Sequence, residues 1–312
     1  MRSTDYSEEA AMGKNNAVVV GVDGSPSGRR AVELAAGEAR LRGTDLHVVH
    51  ALTWPPAPIG PGAPAYVPGE EALVPEESLR RAADAYLAEA VALARSVAPR
   101  TEVTTDIATG EALTTLVGLS HSAPLVVVGS RGRSSFADLL VGSVATQLAA
   151  HAHCPVLVAR GAPDLPGGIV LGVDGSPESR PATAFAFAEA SLRGVPLVAV
   201  HVWSEWSVPP SPPQDSSAPY ARRPGMLRED EERVLAEALS GCGETWPDVN
   251  VERRSVHGRT REALIEAGED AQLLVVGTRG RGGFSGMLLG SVSQAALHHA
   301  HCPVVVVPRK QP

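Results

Sequence analysis

Short runs of consecutive apolar residues recur along the chain, and each gives way to a longer stretch in which apolar residues return every three or four positions. "AVVVG" (17–21) leads into "RRAVELAAGEARLRG" (29–43), "LHVVHALTW" (46–54) precedes "RRAADAYLAEAVALARSVA" (80–98), and "PLVVVG" (124–129) is followed later by "CPVLVAR" (154–160). The short runs predict strands buried on both faces, and the period near 3.6 predicts amphipathic helices between them. Strands alternating with helices in this way give β-α-β-α-β order, with right-handed crossovers in a parallel sheet. The expected fold class is therefore α/β, doubly wound and Rossmann-like, with about five strands.

The pattern then starts again. "AVVVGVDGSPSGRRAVELAAGEA" (17–39) aligns with "GIVLGVDGSPESRPATAFAFAEA" (168–190), which places Asp23 on Asp174 and, at the same offset of 151, His50 on His201. "VVVGSRGRSSFADLLVGSVA" (126–145) aligns with "LVVGTRGRGGFSGMLLGSVS" (274–293) at an offset of 148, as does "HAHCPVLV" (151–158) with the start of the last apolar run. Residues 1–16 read as a polar tail, 17–160 as a first domain, 161–168 as a Gly- and Pro-rich linker, and 169–309 as a second domain. Pro-rich stretches at 55–75 and 207–225 follow the second strand of each copy. They are expected to be mobile loops, either covering a site at the strand ends or serving as plain surface insertions.

Composition narrows the picture. The 312 residues are 44% hydrophobic and only 4% aromatic, so the core must be built from Ala, Val and Leu, as suits helices packed on a parallel sheet. Each half carries a modest negative charge, −5 over 1–165 and −3 over 166–312, which is not the footprint of a nucleic-acid binder. No apolar run approaches the ~18 residues of a membrane span, and the polar N-terminus lacks the apolar core of a signal peptide. Three cysteines, Cys154, Cys242 and Cys302, match no zinc or disulfide spacing and are expected to be free thiols. A cytoplasmic protein, with neither nucleic acid nor membrane as partner, is the expectation.

The candidate chemistry lies where the fourth strand of each copy opens into a loop. The spacing is Gly-x2-Gly-x9-Gly-Ser: Gly129, Gly132, Gly142 and Ser143, then Gly277, Gly280, Gly290 and Ser291. In an open parallel sheet, ligands bind beyond the carboxyl ends of the strands. Glycines there let the main chain approach a phosphate and adopt φ values that other residues avoid, and a serine at a helix start adds a donor where the dipole favours an anion. For either motif alone a second reading stands, in which the glycines make turns and the serines are ordinary N-caps. Two copies beside Asp23 and Asp174, each at the end of a first strand, favour a nucleotide site. Each Asp can accept from a ribose hydroxyl or simply cap its turn. The motif is not a P-loop, since the only lysines are Lys14 and Lys310, and no Gly-x-Gly-x-x-Gly follows either first strand. The clusters "HAHC" (151–154) and "HHAHC" (298–302) contain metal-ligand residue types, but each precedes Pro and a Val-rich strand and reads as a helix end with a small buried cysteine.

With "GVDGSP", the glycine spacing and the "HCPV" strands together, each half resembles the universal stress protein family over nearly all of Ala17 to Pro308, and the chain resembles a tandem member of its ATP-binding branch. The resemblance implies ATP, with magnesium, as cofactor. It implies Asp23 and Asp174 against the nucleoside, backbone groups of Ala51 and Val202 toward adenine, and Val144 and Val292 closing the pocket. The eight glycine-motif positions would wrap ribose and phosphates. Arg131, Arg133, Arg279 and Arg281 lie in the same loops, either pairing with phosphates or solvated. The last strand of each copy is apolar and its edge needs covering, and the resemblance implies pairing of such strands and a homodimer of chains. A nucleotide-dependent regulator of stress response or dormancy, acting through a protein partner, is the expected function. The alternative is a slow magnesium-dependent ATPase or nucleotidyl-transferring enzyme.

Overall fold

The computed structural model describes residues 16–53, 76–132, 141–161, 165–204, 226–280 and 288–309. Nearly all of the tail and of the two Pro-rich stretches, together with Arg133 and Arg281, lie outside these residues. The chain divides into two units, Met1–Ala159 and Arg160–Pro312.

In unit 1 the order is β1 (Val18–Gly21), α1 (Pro26–Arg42), β2 (Leu46–Leu52), α2 (Glu76–Val97), β3 (Val103–Thr109), α3 (Ala112–Leu119), β4 (Val126–Gly129), α4 (Ser143–His151) and β5 (Val156–Ala159). The strands are parallel in the order β3-β2-β1-β4-β5. β1 is central, with Val18 opposite Leu46 on one side and Val19 opposite Val126 on the other. Val18, Val20, Leu46, Val126 and Val127 are fully buried, each apolar side chain contributing about 1.5–3 kcal/mol by leaving water. α1 lays Ala31, Val32, Ala35, Ala36 and Ala39 on the sheet. Those small side chains bring helix and sheet close together, as expected of a core poor in aromatics. The chain leaves β1 toward β2 on one side and reaches β4 on the other, so a crevice opens at the carboxyl ends of β1 and β4.

Unit 2 repeats the plan with β6 (Ile169–Val173), α5 (Arg180–Arg193), β7 (Leu197–Trp203), α6 (Met226–Ala238), the short α7 (Cys242–Thr245), β8 (Val251–His257), α8 (Thr260–Ala267), β9 (Leu273–Gly277), α9 (Ser291–His299) and β10 (Val304–Val307). Its strands are parallel in the order β8-β7-β6-β9-β10. The two units differ at the first turn. Ser25 caps α1, its hydroxyl accepting from Gly28 N at 3.0 Å, and the helix begins at Pro26. In unit 2 the same Gly-Ser-Pro enters a 3₁₀ turn, Pro177–Ser179, before α5 starts at Arg180. Pro181 explains the difference: it stands where α1 has Arg30, and without an N–H it cannot close the α-helical bond back to Pro177 O.

Candidate functional site

The first component of the site is the turn after each first strand. Gly24 and Gly175 adopt φ of 76° and 74°, the left-handed conformation that favours glycine. Across that turn Asp23 Oδ1 accepts from Ser25 N at 3.0 Å, and Asp174 Oδ1 accepts from Ser176 N at 3.0 Å and from Ser176 Oγ at 2.8 Å. Both aspartates thus cap their turns, and the turn in exchange fixes where each carboxylate points. The other carboxylate oxygen lies against the glycine motif: a Cβ built on Gly132 would stand 3.0 Å from Asp23 Oδ2, and one on Gly280 would stand 2.9 Å from Asp174 Oδ2. Two features far apart in sequence are brought together in each unit.

This contact also corrects one expectation. No glycine of either motif has a φ in the left-handed region. Close approach, not backbone freedom, is what Gly132 and Gly280 supply.

The motif loop is closed at its neck. Ser130 N donates to Ala159 O at 3.0 Å and Gly142 N to Ser130 O at 2.7 Å, while in unit 2 Thr278 N donates to Val307 O at 3.1 Å and Gly290 N to Thr278 O at 2.7 Å. Gly142 and Gly290 are the N-caps, with φ of −73° in both, and Ser143 and Ser291 are the first residues of α4 and α9. The reading of those serines as ordinary N-caps is therefore wrong. Because the cap is glycine, no N-cap side chain accepts from the first N–H groups of either helix, which lie at the positive end of the helix dipole.

In unit 1 these parts enclose a cavity of about 140 Å³. Its lining includes Asp23, Ala51, Gly129, Gly132, Gly142, Ser143 and Val144, which are all seven positions singled out in the first repeat. Arg131 lines it as well. Ala112 and Leu116 of α3 also line it and were not anticipated, since no motif spacing marks them. The signal available was Gly21, whose Cβ would stand 3.0 Å from Leu116 Cδ1 and whose absence lets Leu116 close the floor. In unit 2, Gly172 has the same relation to Leu264, at 3.2 Å. There Val202 lies in β7 opposite Val256 of β8, Gly277 ends β9, and Ser291 and Val292 open α9. Arg279 Nε donates to Leu288 O at 3.5 Å.

The bracing of the two loops differs. In unit 1, Ser27 Oγ donates to Arg131 O and accepts from Arg131 N at 3.3 Å, and Ser25 Oγ also donates to Arg131 O at 3.3 Å. In unit 2 the hold comes from the other side of the loop, where Ser293 of α9 donates to Gly277 O at 2.6 Å and lies 3.3 Å from Thr278 O.

The His/Cys clusters lack metal-site geometry: among the described residues no group of three or more His, Cys, Asp or Glu could hold a metal ion. Burial pushes the Cys154 thiol up to about 12 and that of Cys302 up to about 11, so neither is a thiolate at neutral pH. His298, in the last turn of α9, is lowered by burial and by the neighbouring His299 and Arg160. Among the described residues no helix is long and apolar enough to cross a membrane.

Comparison with known proteins converges on one family. The model of the universal stress protein family matches residues 14–160 and again 168–308. The universal stress protein Rv2005c of Mycobacterium tuberculosis is 40% identical over 306 residues, covering 94% of this chain and 97% of the relative, and Rv2623 of the same species is 37% identical over 299 residues, covering 93% and 95%. The crystal structure of a universal stress protein from Archaeoglobus fulgidus superposes with a TM-score of 0.63 at 20% identity, covering 95% of this chain and 97% of that one, which is a likeness of fold. With the family matched twice and close relatives aligned end to end, the chain belongs to the universal stress protein family and carries two copies of its domain in tandem.

Proposed function

We infer that both repeats bind ATP and that occupancy of the two sites regulates the protein's interaction with a partner. The observation that carries this reading is the cavity at the carboxyl ends of β1, β2 and β4, lined by every position the glycine motif and its Asp nominate in the first repeat. Apolar walls from Val49, Ala51, Leu116 and Val144 suit a base. Asp23 suits a ribose hydroxyl, and the uncapped N-terminus of α4 with Gly132 and Gly142 suits the phosphates. Unit 2 supports the same reading through Asp174 against Gly280 and the glycine-capped start of α9. Magnesium would ride on the phosphates, where one or two carboxylates suffice. Binding is favoured over turnover because fast phosphoryl transfer needs a cationic clamp and a positioned water, whereas neither motif holds a lysine and the described cavity lining, which supplies Arg131 as a cation, includes no His or Glu to position a water. Three free cysteines suit a cytoplasmic protein, and a homodimer is part of the same proposal.

Calorimetry tests the assignment. In Gly132→Val the side chain must enter the space of the Asp23 carboxylate, and in Gly280→Val that of Asp174. A clash of about 1–3 kcal/mol weakens ATP roughly tenfold to a hundredfold at the altered site. Each single change is expected to remove one site at moderate ATP, and the double change to remove both with the fold retained. Two undiminished sites in the folded double variant would sink the proposal. Sedimentation with and without ATP tests the homodimer, and a single monomeric species at all concentrations would remove it.

A further inference from the structure

In unit 1 the ends of β1 and β2 are tied together from behind by one aromatic ring. Tyr86 belongs to α2, and among the described residues no part of α2 lines the cavity. Its ring lies directly on Gly24, where a Cβ would stand 2.5 Å from Tyr86 Cδ1 and 2.5 Å from Cε1. The same ring meets His50 edge-on, at 5.6 Å between centroids, and His50 Nδ1 donates to Val22 O at 2.8 Å. Val22 and Gly24 flank Asp23, and His50 precedes Ala51. Asp23 and Ala51 both line the cavity. Tyr86, Gly24, His50 and Val22 thus form a circuit of contacts around the backbone that presents those two residues.

Unit 2 closes the equivalent place by other means. Ser176 Oγ donates to Asp174 Oδ1 at 2.8 Å, and Glu231 of α6 sets Oε2 2.7 Å from His201 Nε2. In unit 1 the Ser25 hydroxyl serves Gly28 N and Arg131 O instead, so the Asp23 turn leans on packing where the Asp174 turn gains a hydroxyl. Packing matters most at such a turn because glycine has more backbone freedom to lose than any other residue. A carboxylate hinged on Gly24 points only as steadily as Gly24 is held.

We propose that Tyr86 is a positioning residue of the first repeat's site: its ring pins Gly24 and His50, and so fixes the Asp23 carboxylate where it would accept from a ribose hydroxyl. This rests on the nucleotide reading of the first repeat. A displacement of about 1 Å is enough to spoil such a contact, so the ring governs recognition of the hydroxyl. The phosphates, which would meet the motif loop and α4, do not depend on it.

Two measurements on the full chain test this. Hydrogen exchange without nucleotide reads the amides of Ser25 and Gly28, which donate to Asp23 Oδ1 and Ser25 Oγ. Tyr86→Ala should lower their protection about threefold to tenfold, while amides of β4 and β5 stay level. Tyr86→Phe keeps the ring carbons that touch Gly24 and should change nothing. Binding of ATP, 2′-deoxyATP and 3′-deoxyATP is then compared in the Gly280→Val background, which leaves the first repeat. With Tyr86 in place, ATP is expected to bind about tenfold or more tighter than the analogue lacking the hydroxyl that faces Asp23. Tyr86→Ala should shrink that preference about threefold to tenfold by weakening ATP and not that analogue, and Tyr86→Phe should keep it. Tyr86→Leu, which fills the space without a flat face, should shift both readouts the same way and carries the test if the alanine variant does not fold. Level protection at Ser25 in the folded variant overturns the pin. So does an equal loss for ATP and both analogues, which is what a merely structural ring would give. If the first repeat takes no ATP even with Tyr86 in place, the nucleotide reading fails, while a fall in protection at Ser25 still upholds the pin.

Discussion

The turns after β1 and β6 share the letters Val-Asp-Gly-Ser-Pro and fold differently within three residues. In unit 1 the chain enters α1 directly, and the backbone of Ser27 and Gly28 comes up against Gly129: a Cβ there would stand 2.8 Å from Ser27 C and 2.9 Å from Gly28 N. In unit 2 the 3₁₀ turn follows a different path, and the nearest neighbour of a Cβ on Gly277 is Arg279 O at 3.4 Å. The same glycine is thus sterically required in one repeat and merely tolerated in the other. Duplication has kept the parts that would face a ligand, the Asp turn and the motif loop, while the bracing behind them has diverged.

The largest expected effect breaks that symmetry at the glycine. Gly129→Ala must push α1 away from β4 and should destabilise unit 1 by about 1–3 kcal/mol. Gly277→Ala meets ordinary contact and should cost unit 2 less than about 0.5 kcal/mol. Hydrogen exchange resolved by unit measures each separately. Equal costs would mean that the two first turns are alike in solution.

Most of the scaffold can be read from the sequence, because strands buried on both faces and helices with one small-residue stripe leave unmistakable periods. β1, β2 and β4, α1 and α2, and the meeting of Asp23 with the glycine loop all follow from pattern and repeat. What could not be read depends on single atoms. Pro181 shifts a helix start by lacking one N–H, yet the surrounding letters match those of α1. Ser143 and Ser291 look like caps because serine caps helices, whereas the glycine before each takes that role. Leu116 reaches the cavity floor through a missing side chain at Gly21, a relation between elements that no spacing encodes. Glu231 sits among charged neighbours in "REDEER" (228–233), and nothing in that run distinguishes the one carboxylate that turns inward to His201.

Pro181→Arg, which copies the first repeat at position 30, sharpens the comparison at intermediate size. Restoring the N–H should let α5 extend back toward Pro177, seen as protection of the new amide at residue 181 as it donates to Pro177 O. In that background Ser179 moves toward Gly277, so Gly277→Ala should now become costly. The double-mutant cycle should show a coupling of about 0.5–2 kcal/mol. Additive effects would mean that Pro181 is not what separates the two turns.

The smallest effects concern the hydroxyls that brace each loop, and they should be local. Ser27→Ala removes the side chain that both donates to Arg131 O and accepts from Arg131 N, and Ser293→Ala removes the donor to Gly277 O. Each loss is worth about 1 kcal/mol of loop order, or roughly a fivefold weakening of ATP at that repeat alone. Ser25 also donates to Arg131 O at 3.3 Å and partly covers for Ser27, so the Ser293 change should be the greater of the two. Titration of each serine variant in the Gly280→Val or Gly132→Val background isolates the affected repeat. If Ser27→Ala weakened the second repeat as much as the first, the loops would be braced jointly, and independent bracing would have to be abandoned.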